Sequence, residues 1–188
     1  VIIDFVPNHV AREYHSTCKP KGVEDLGATD NPTWAFSPLN NFYYIHEPFA
    51  PQFDVQGYIE NPSRATGNDC FTAHPSKDDW YETVKLNYGV FYQNGGEQQF
   101  DPIPNTWHKM LHILLFWASK GIDGFRCDMA EMVPQAFWSW AIAQLKEQYP
   151  DILFIAEVYN PGLYRAYIAA GFDYLYDKVG MYDYLRGV

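Results

Sequence analysis

Residues 121–130 read GIDGFRCDMA. Gly121 closes a helical pattern, and the apolar run that follows, residues 122–128, has the length and flanking glycines of a buried strand. Such a strand seldom carries charge, yet Arg126 and Asp128 stand two apart. Residues two apart in a strand share a face, so both charges point one way, while Phe125 and Cys127 point the other. The strand is therefore expected to have one core face and one face that does chemistry.

The surrounding pattern gives the fold. The segment PNTWHKMLHILLFWASKG opens with Pro104 and repeats Trp107, Met110, Leu111, Leu114, Leu115 and Ala118 at helical spacing. PQAFWSWAIAQLKEQYP opens with Pro134 and stops before Pro150, and PGLYRAYIAAG runs from Pro161 to Gly171. Each precedes a short apolar strand, at 122–128, 152–157 and 172–176. Strand and helix alternating at about 25 to 30 residues per unit indicate parallel β/α architecture. Residues 10–103 differ. They are rich in Pro, Gly, Asn, Asp and Tyr without periodicity, and are too long for a structureless loop. They are expected to form an inserted subdomain of short strands and turns.

The 188 residues are 47% hydrophobic and 19% charged, a globular composition, and their net charge of −10 argues against nucleic acid and anionic membranes as partners. The longest apolar stretch, about 110–118, is too short to span a bilayer. No signal-peptide pattern is read, and the compartment stays open. The 6 Trp, 15 Tyr and 13 Phe fit either a large core or a ring-lined cleft for a sugar-like ligand. Cys127 reads as a core residue; Cys18 and Cys70 would pair only in an exported protein. His108 and His112 have a zinc-like spacing, but Lys109 stands where a metalloprotease helix has its Glu, so they are read as ordinary histidines. Asp78, Asp79 and Trp80 are read as a turn rather than a sugar-binding lip, and Asn94–Gly96 as a turn rather than a phosphate loop.

Carboxylates gather at strand ends. Asp4 lies in the apolar run VIIDFVPNHV, with Asn8 and His9 where that strand stops; Glu157 follows Ile155 on one face of DILFIAEVYN. Asn8, His9, Asp128 and Glu157 thus fall at the C-terminal ends of successive parallel strands, where β/α proteins place their chemistry. Neighbouring strands lie about 4.8 Å apart, so Asp128 and Glu157 can approach the ~5–5.5 Å separation of a retaining glycosidase. Arg126 would keep Asp128 ionised, and the apolar neighbours Phe154, Ile155 and Ala156 would favour a proton on Glu157. An Arg126 ion pair that only braces the sheet accounts for any one of these residues, but not for four polar groups in register.

These residues carry a resemblance. DFVPNH (4–9), GFRCD (124–128) and AEV (156–158) resemble the first three sequence regions of the α-amylase family, family 13 of the glycoside hydrolases, and KLN (85–87) resembles that family's short motif late in its insertion. The resemblance implies a partial (β/α)8 barrel, about strands three to six, formed by residues 1–9 and 104–188, with 10–103 as the B-type subdomain inserted after strand three. It implies a retaining enzyme acting on α-1,4-glucans or maltooligosaccharides through a covalent glycosyl-enzyme. Asp128 resembles the nucleophile, Glu157 the general acid/base, and Arg126 the residue that orients the nucleophile. His9 resembles a histidine that binds sugar hydroxyls. Asp4 is placed with it near substrate and, like Asn8, looks structural; Asn8 matches a calcium ligand of calcium-dependent members. No cofactor is implied for the chemistry.

Glu131 and Met132 occupy positions where Lys-His is common in α-amylases, and Lys85 one where Asp is common, which leaves structural calcium in doubt. The stretches MVPQAFWSW and GFDYLYDK look closer to a maltosyl-transferring branch, so transglycosylation is the alternative to hydrolysis. The family's third acid, in an Asn-His-Asp motif after strand seven, has no match here. The chain is accordingly expected to be part of a barrel that is inactive, or only binds carbohydrate, by itself. It is also expected to self-associate over its uncovered edges.

Overall fold

The computed structural model describes residues 1–187. In chain order its elements are β1 (Ile2–Phe5), β2 (His9–Ala11), β3 (Tyr44–Ile45), β4 (Ser63–Arg64), β5 (Thr83–Lys85), β6 (Val90–Phe91), β7 (Glu97–Gln98), α1 (Asn105–Ala118), β8 (Gly124–Cys127), α2 (Gln135–Gln148), β9 (Leu153–Ala156), α3 (Tyr164–Ala169), β10 (Tyr174–Leu175) and α4 (Asp183–Arg186). The chain divides into two units: Val1–Asn8 with the chain from Met110 onward, and His9–Lys109.

The first unit holds a four-stranded, all-parallel sheet in the order β1-β8-β9-β10. It is an α/β arrangement, with each pair of strands after β8 connected through a helix. Alternation along the strands does what the sequence requires of it. Phe125, Cys127, Phe154 and Ala156 are fully buried on one side, while Arg126 and Ile155 remain partly accessible on the other. The buried side meets α2, whose Phe137, Trp138, Ala141, Ile142 and Leu145 form its core stripe. Rings interlock here: Trp138 meets Phe172 at 4.8 Å and Phe5 at 6.3 Å edge to face, and Phe125 lies tilted 5.5 Å from Phe154. In this unit these rings are therefore core, while Trp117, Tyr174, Tyr182 and Tyr184 are exposed. Trp138 also donates from Nε1 to the carbonyl of Ala130 at 3.1 Å, tying the loop beyond β8 to the helix beneath it.

Helix ends follow local chemistry. α1 stops before Gly121, which takes a left-handed conformation at φ 76°. α2 starts after Pro134 and ends at Tyr149, before Pro150. The expected helix from Pro161 differs in its first turn, which is 3-10 (Pro161–Leu163) because the Asn160 side chain accepts from the Gly162 N–H. The strands are shorter than the apolar runs suggest. Beyond β8 and β9 the pairing persists as single bonds, from Asp128 N–H to the Phe5 carbonyl (2.8 Å) and from Glu157 N–H to the Cys127 carbonyl (3.1 Å).

The second unit is built differently. It has three antiparallel ladders, β2–β5, β3–β4 and β6–β7, none longer than three residues per strand. Side-chain amides replace long backbone ladders. Asn87, fully buried, donates to the carbonyls of Ser37 (2.8 Å) and Asn40 (3.0 Å) and accepts from Gly89 N–H (2.9 Å). Asn41, also fully buried, accepts from Gly27 N–H (2.9 Å) and donates to Asn105 (2.9 Å). Glu60 is held between Arg12 (2.6 Å) and Arg64 (2.5 Å), with the Arg12 guanidinium 4.0 Å over the Phe49 ring. Lys85 is 1% exposed and paired with Asp69 at 2.5 Å; burial pushes its ammonium below its usual range. Asp79 closes the turn read at 78–80 by accepting from Ser76 (2.8 Å), and Asn94–Gly96 joins β6 to β7. All three cysteines are free: Cys18 exposed, Cys70 partly so, Cys127 buried as read. Among the described residues no helix is long and apolar enough to cross a membrane.

Gly124 sits where two strands come close. A Cβ there would stand 2.5 Å from the Leu153 carbonyl oxygen on the next strand, which is backbone and cannot turn aside. Gly124→Ala is expected to destabilise the protein by about 1–3 kcal/mol through forced separation of β8 and β9, measured as a fall in the urea midpoint.

Candidate active site

Parallel register fixes the site. Asp4 is paired with Arg126 across β1–β8, and Cys127 with Ala156 across β8–β9, so the next residues, Asp128 and Glu157, emerge level on neighbouring strands. Arg126 reaches all three carboxylates. Its Nη1 lies 2.6 Å from Asp128 Oδ1 and 2.9 Å from Asp4 Oδ1, and its Nη2 lies 2.8 Å from Glu157 Oε1. Its remaining donor, Nε, bonds the Tyr176 hydroxyl at 3.0 Å. The planar guanidinium suits this task, because its donors leave in fixed directions toward separate acceptors. Exposure grades across the cluster. The Glu157 side chain is 9% accessible, Asp128 and Arg126 22% each, and Asp4 59%.

Three further groups act on or around Glu157. The Tyr159 hydroxyl donates to Glu157 Oε1. The Met129 N–H, turned inward by a left-handed backbone at φ 45°, donates to Glu157 Oε2 at 2.9 Å. Glu131 accepts from the backbone N–H groups of Tyr159 and Asn160 through one oxygen, at 3.1 Å each, and so anchors the loop after β9. Tyr159 was findable, since it lies two residues beyond Glu157, where alternation keeps it on the same side. Met129 and Tyr176 had no such signal. Met129 acts through its backbone, and Tyr176 sits in an ordinary aromatic run.

The electrostatics correct one expectation. Arg126 is expected to lower Asp128 and the apolar neighbours to raise Glu157; the shifts run the other way. Burial, together with the charge of Glu157, raises Asp128 above the usual carboxylate range despite the Arg126 bond. Burial also acts upward on Glu157, but the Tyr159 hydroxyl, the Met129 N–H and the Arg126 charge outweigh it and bring Glu157 below that range. The reason is geometric. Phe154 and Ala156 alternate into the core, away from Glu157, so the apolar sequence around that glutamate is not its environment. Arg126 is raised above its own usual range. Burial alone would lower it, but the Tyr176 hydroxyl, Asp128 and Asp4 outweigh burial.

Asn8 is buried at 1% in this unit. A calcium centre needs six to eight hard oxygens, several of them carboxylates. Among the described residues no three His, Cys, Asp or Glu side chains cluster to hold a metal. His9 belongs to the second unit, where it is paired with Lys85 across β2–β5 and its ring lies 5.3 Å from Trp80.

No family model matches the chain. An alpha-1,4-glucan:maltose-1-phosphate maltosyltransferase of Chlorobaculum tepidum is 34% identical over 158 residues, 78% of this chain and 23% of that protein. The enzyme of the same name from Rhodospirillum rubrum is 37% identical over 121 residues, 57% of this chain and 17% of that one. An α-amylase from Lactobacillus plantarum superposes on 97% of this chain and 33% of its own, with a TM-score of 0.50 and 24% identity, and so shares the fold. The chain belongs to the α-amylase family. As a member of that family it spans less than a quarter of the length of the curated relatives it matches first.

Replacing Arg126 by Gln removes the one cation that all three acids touch. The charged forms of Asp128 and Glu157 lose support, so these two carboxyls are expected to take up protons at higher pH than in the unaltered protein. Carboxyl-labelled NMR titration of Asp and Glu checks this, and an unmoved titration of Asp128 and Glu157 would contradict the role assigned to the guanidinium.

Proposed function

We propose that this chain carries the central catalytic part of a retaining enzyme acting on α-1,4-glucans or maltooligosaccharides. The observation that carries the reading is the placement of Asp128 and Glu157 level on adjacent parallel strands and on one guanidinium. An inverting enzyme separates its two carboxyls by roughly 6.5–9.5 Å to admit a water, whereas a retaining one keeps them closer. Within this reading residues 1–9 and 104–188 are about strands three to six of a (β/α)8 barrel, and 10–103 is the B-type subdomain inserted after strand three.

Asp128 attacks the anomeric carbon while Glu157 protonates the glycosidic oxygen. The C–O bond breaks, the shortened glucan leaves, and a glycosyl ester remains on Asp128. Glu157, now a carboxylate, takes a proton from the incoming water or sugar hydroxyl, whose oxygen attacks the same carbon and frees Asp128. Arg126 orients Asp128 and balances its charge. Asp4 and His9 are assigned to the substrate side. Nucleophile, acid and base are all side chains of the chain, so the bond-breaking steps call for no cofactor.

The first reading is hydrolysis. Maltosyl transfer is the second, supported by the identity to maltosyltransferases over most of the chain. The full-length protein incubated with maltoheptaose, and with maltose 1-phosphate plus an acceptor glucan, separates them by product chromatography. New reducing ends indicate hydrolysis; chain lengthening with phosphate release indicates transfer. Asp128→Ala in the full-length protein is expected to lower kcat by about three orders of magnitude or more with an unchanged circular dichroism spectrum. Turnover near the unaltered rate would remove the assignment.

A further inference from the structure

The turn at 78–80 sets an aromatic ring beside His9. Pairing of β2 with β5 puts His9 opposite Lys85 and Ala11 opposite Thr83, so a straight continuation of β5 would carry residue 80 past Arg12 and away from His9. The chain doubles back instead. The Trp80 carbonyl accepts from the Thr83 N–H (2.9 Å) and from the Thr83 hydroxyl (2.7 Å), while the Trp80 N–H donates to Asn68 Oδ1 (3.2 Å). Asp79 fastens the other side: its Oδ1 accepts from Asn68 Nδ2 (3.0 Å), and its Oδ2 from the Ser76 N–H (2.8 Å) and hydroxyl (2.9 Å). The Trp80 ring then lies 5.3 Å from that of His9, the two planes opening at 59°.

None of these bonds uses the indole. Among the described residues its N–H has no acceptor, and no cation and no ring besides that of His9 is set against it. The side chain is half-buried, as is that of His9, so both reach solvent. A tryptophan whose backbone is held on both sides by polar bonds, and whose ring closes no part of the turn, is available to a ligand. The corner it makes with His9 suits a pyranose. A glucose unit presents a face of C–H bonds, which packs on a flat aromatic ring, and a rim of hydroxyls, which an imidazole or an indole N–H can bond.

We propose that Trp80 is a substrate-binding residue, its indole face taking the C–H face of a glucose unit while His9 bonds a hydroxyl of the same α-glucan chain. The inference rests on the α-glucan reading above, which assigns His9 to the substrate side. The indole N–H, at the edge of the ring, donates to a further hydroxyl of that chain. Asn68, Asp79 and Thr83 hold the segment in place before substrate arrives, so little ordering is left for binding to do. The segment 78–80 is thus both a turn and a sugar-binding lip: its polar groups make the turn, and its ring makes the lip.

Calorimetric titration of the full-length protein with maltoheptaose tests this, in a parent carrying Glu157→Gln to suppress turnover. Trp80→Ala is expected to weaken binding about tenfold, and Trp80→Tyr, which keeps a flat ring, to stay within about threefold of the parent. Trp80→Leu fills the space beside His9 without a flat face and is expected to bind as weakly as Trp80→Ala. Unchanged affinity in Trp80→Ala, or Trp80→Leu binding as tightly as Trp80→Tyr, overturns the proposal, because the indole then does no more than prop His9. Maltoheptaose is also expected to shift the tryptophan emission of the parent. A shift that is undiminished in Trp80→Phe counts equally against the proposal, and this readout serves where Trp80→Ala fails to fold. Failure of both the parent and the unaltered protein to bind maltoheptaose overturns the α-glucan reading and the role of Trp80 together. Binding by the parent that Trp80→Ala leaves unmoved overturns the role of Trp80 alone.

Discussion

One guanidinium organises the first unit's polar face. Arg126 touches Asp4 on β1, Asp128 at the end of its own strand, Glu157 at the end of β9, and the Tyr176 hydroxyl beyond β10. From a single side chain it thus bonds to β1 and to the residues just beyond the other three strands. An uncompensated cation at such a position would be costly, as would three neighbouring carboxylates without it. Each makes the other tenable, and together they fix the level at which Asp128 and Glu157 emerge.

That polar face depends on the apolar one behind it. Gly124 lets β8 and β9 come together where any Cβ would meet the Leu153 carbonyl. Phe125 and Phe154 then fill the core side, and Trp138 both packs against Phe5 and Phe172 and holds the Ala130 carbonyl. The loop that carries the Met129 N–H is therefore placed by a helix that contributes no atom to the carboxylates.

Much of this was legible in sequence because strand alternation is a strict rule. Two charges two apart in an apolar run, repeated one β/α unit later by Glu157, are enough to read a shared face and a level pair. What alternation cannot give is the composition of that face. The residues flanking Glu157 in sequence are apolar, yet they point into the core, and its real neighbours, Tyr159, Met129 N–H and Arg126, arrive from a loop and another strand. The directions in which the two carboxyls shift are not legible in sequence for that reason. Residues 10–103 resisted reading on different grounds. Their order comes from side-chain amides of Asn41 and Asn87 bonding backbone far away in sequence, and from Glu60 between two arginines, interactions with no period.

The cluster has three carboxylates for one guanidinium, an excess of negative charge. Such a field favours whatever becomes positive in it. A sugar ring passing through an oxocarbenium-like state gains there what a neutral ring does not, and a protonated amine placed at the anomeric position would be held for the same reason. An anionic leaving group or acceptor meets the reverse field, and would have to be offset by positive charge lying outside this cluster.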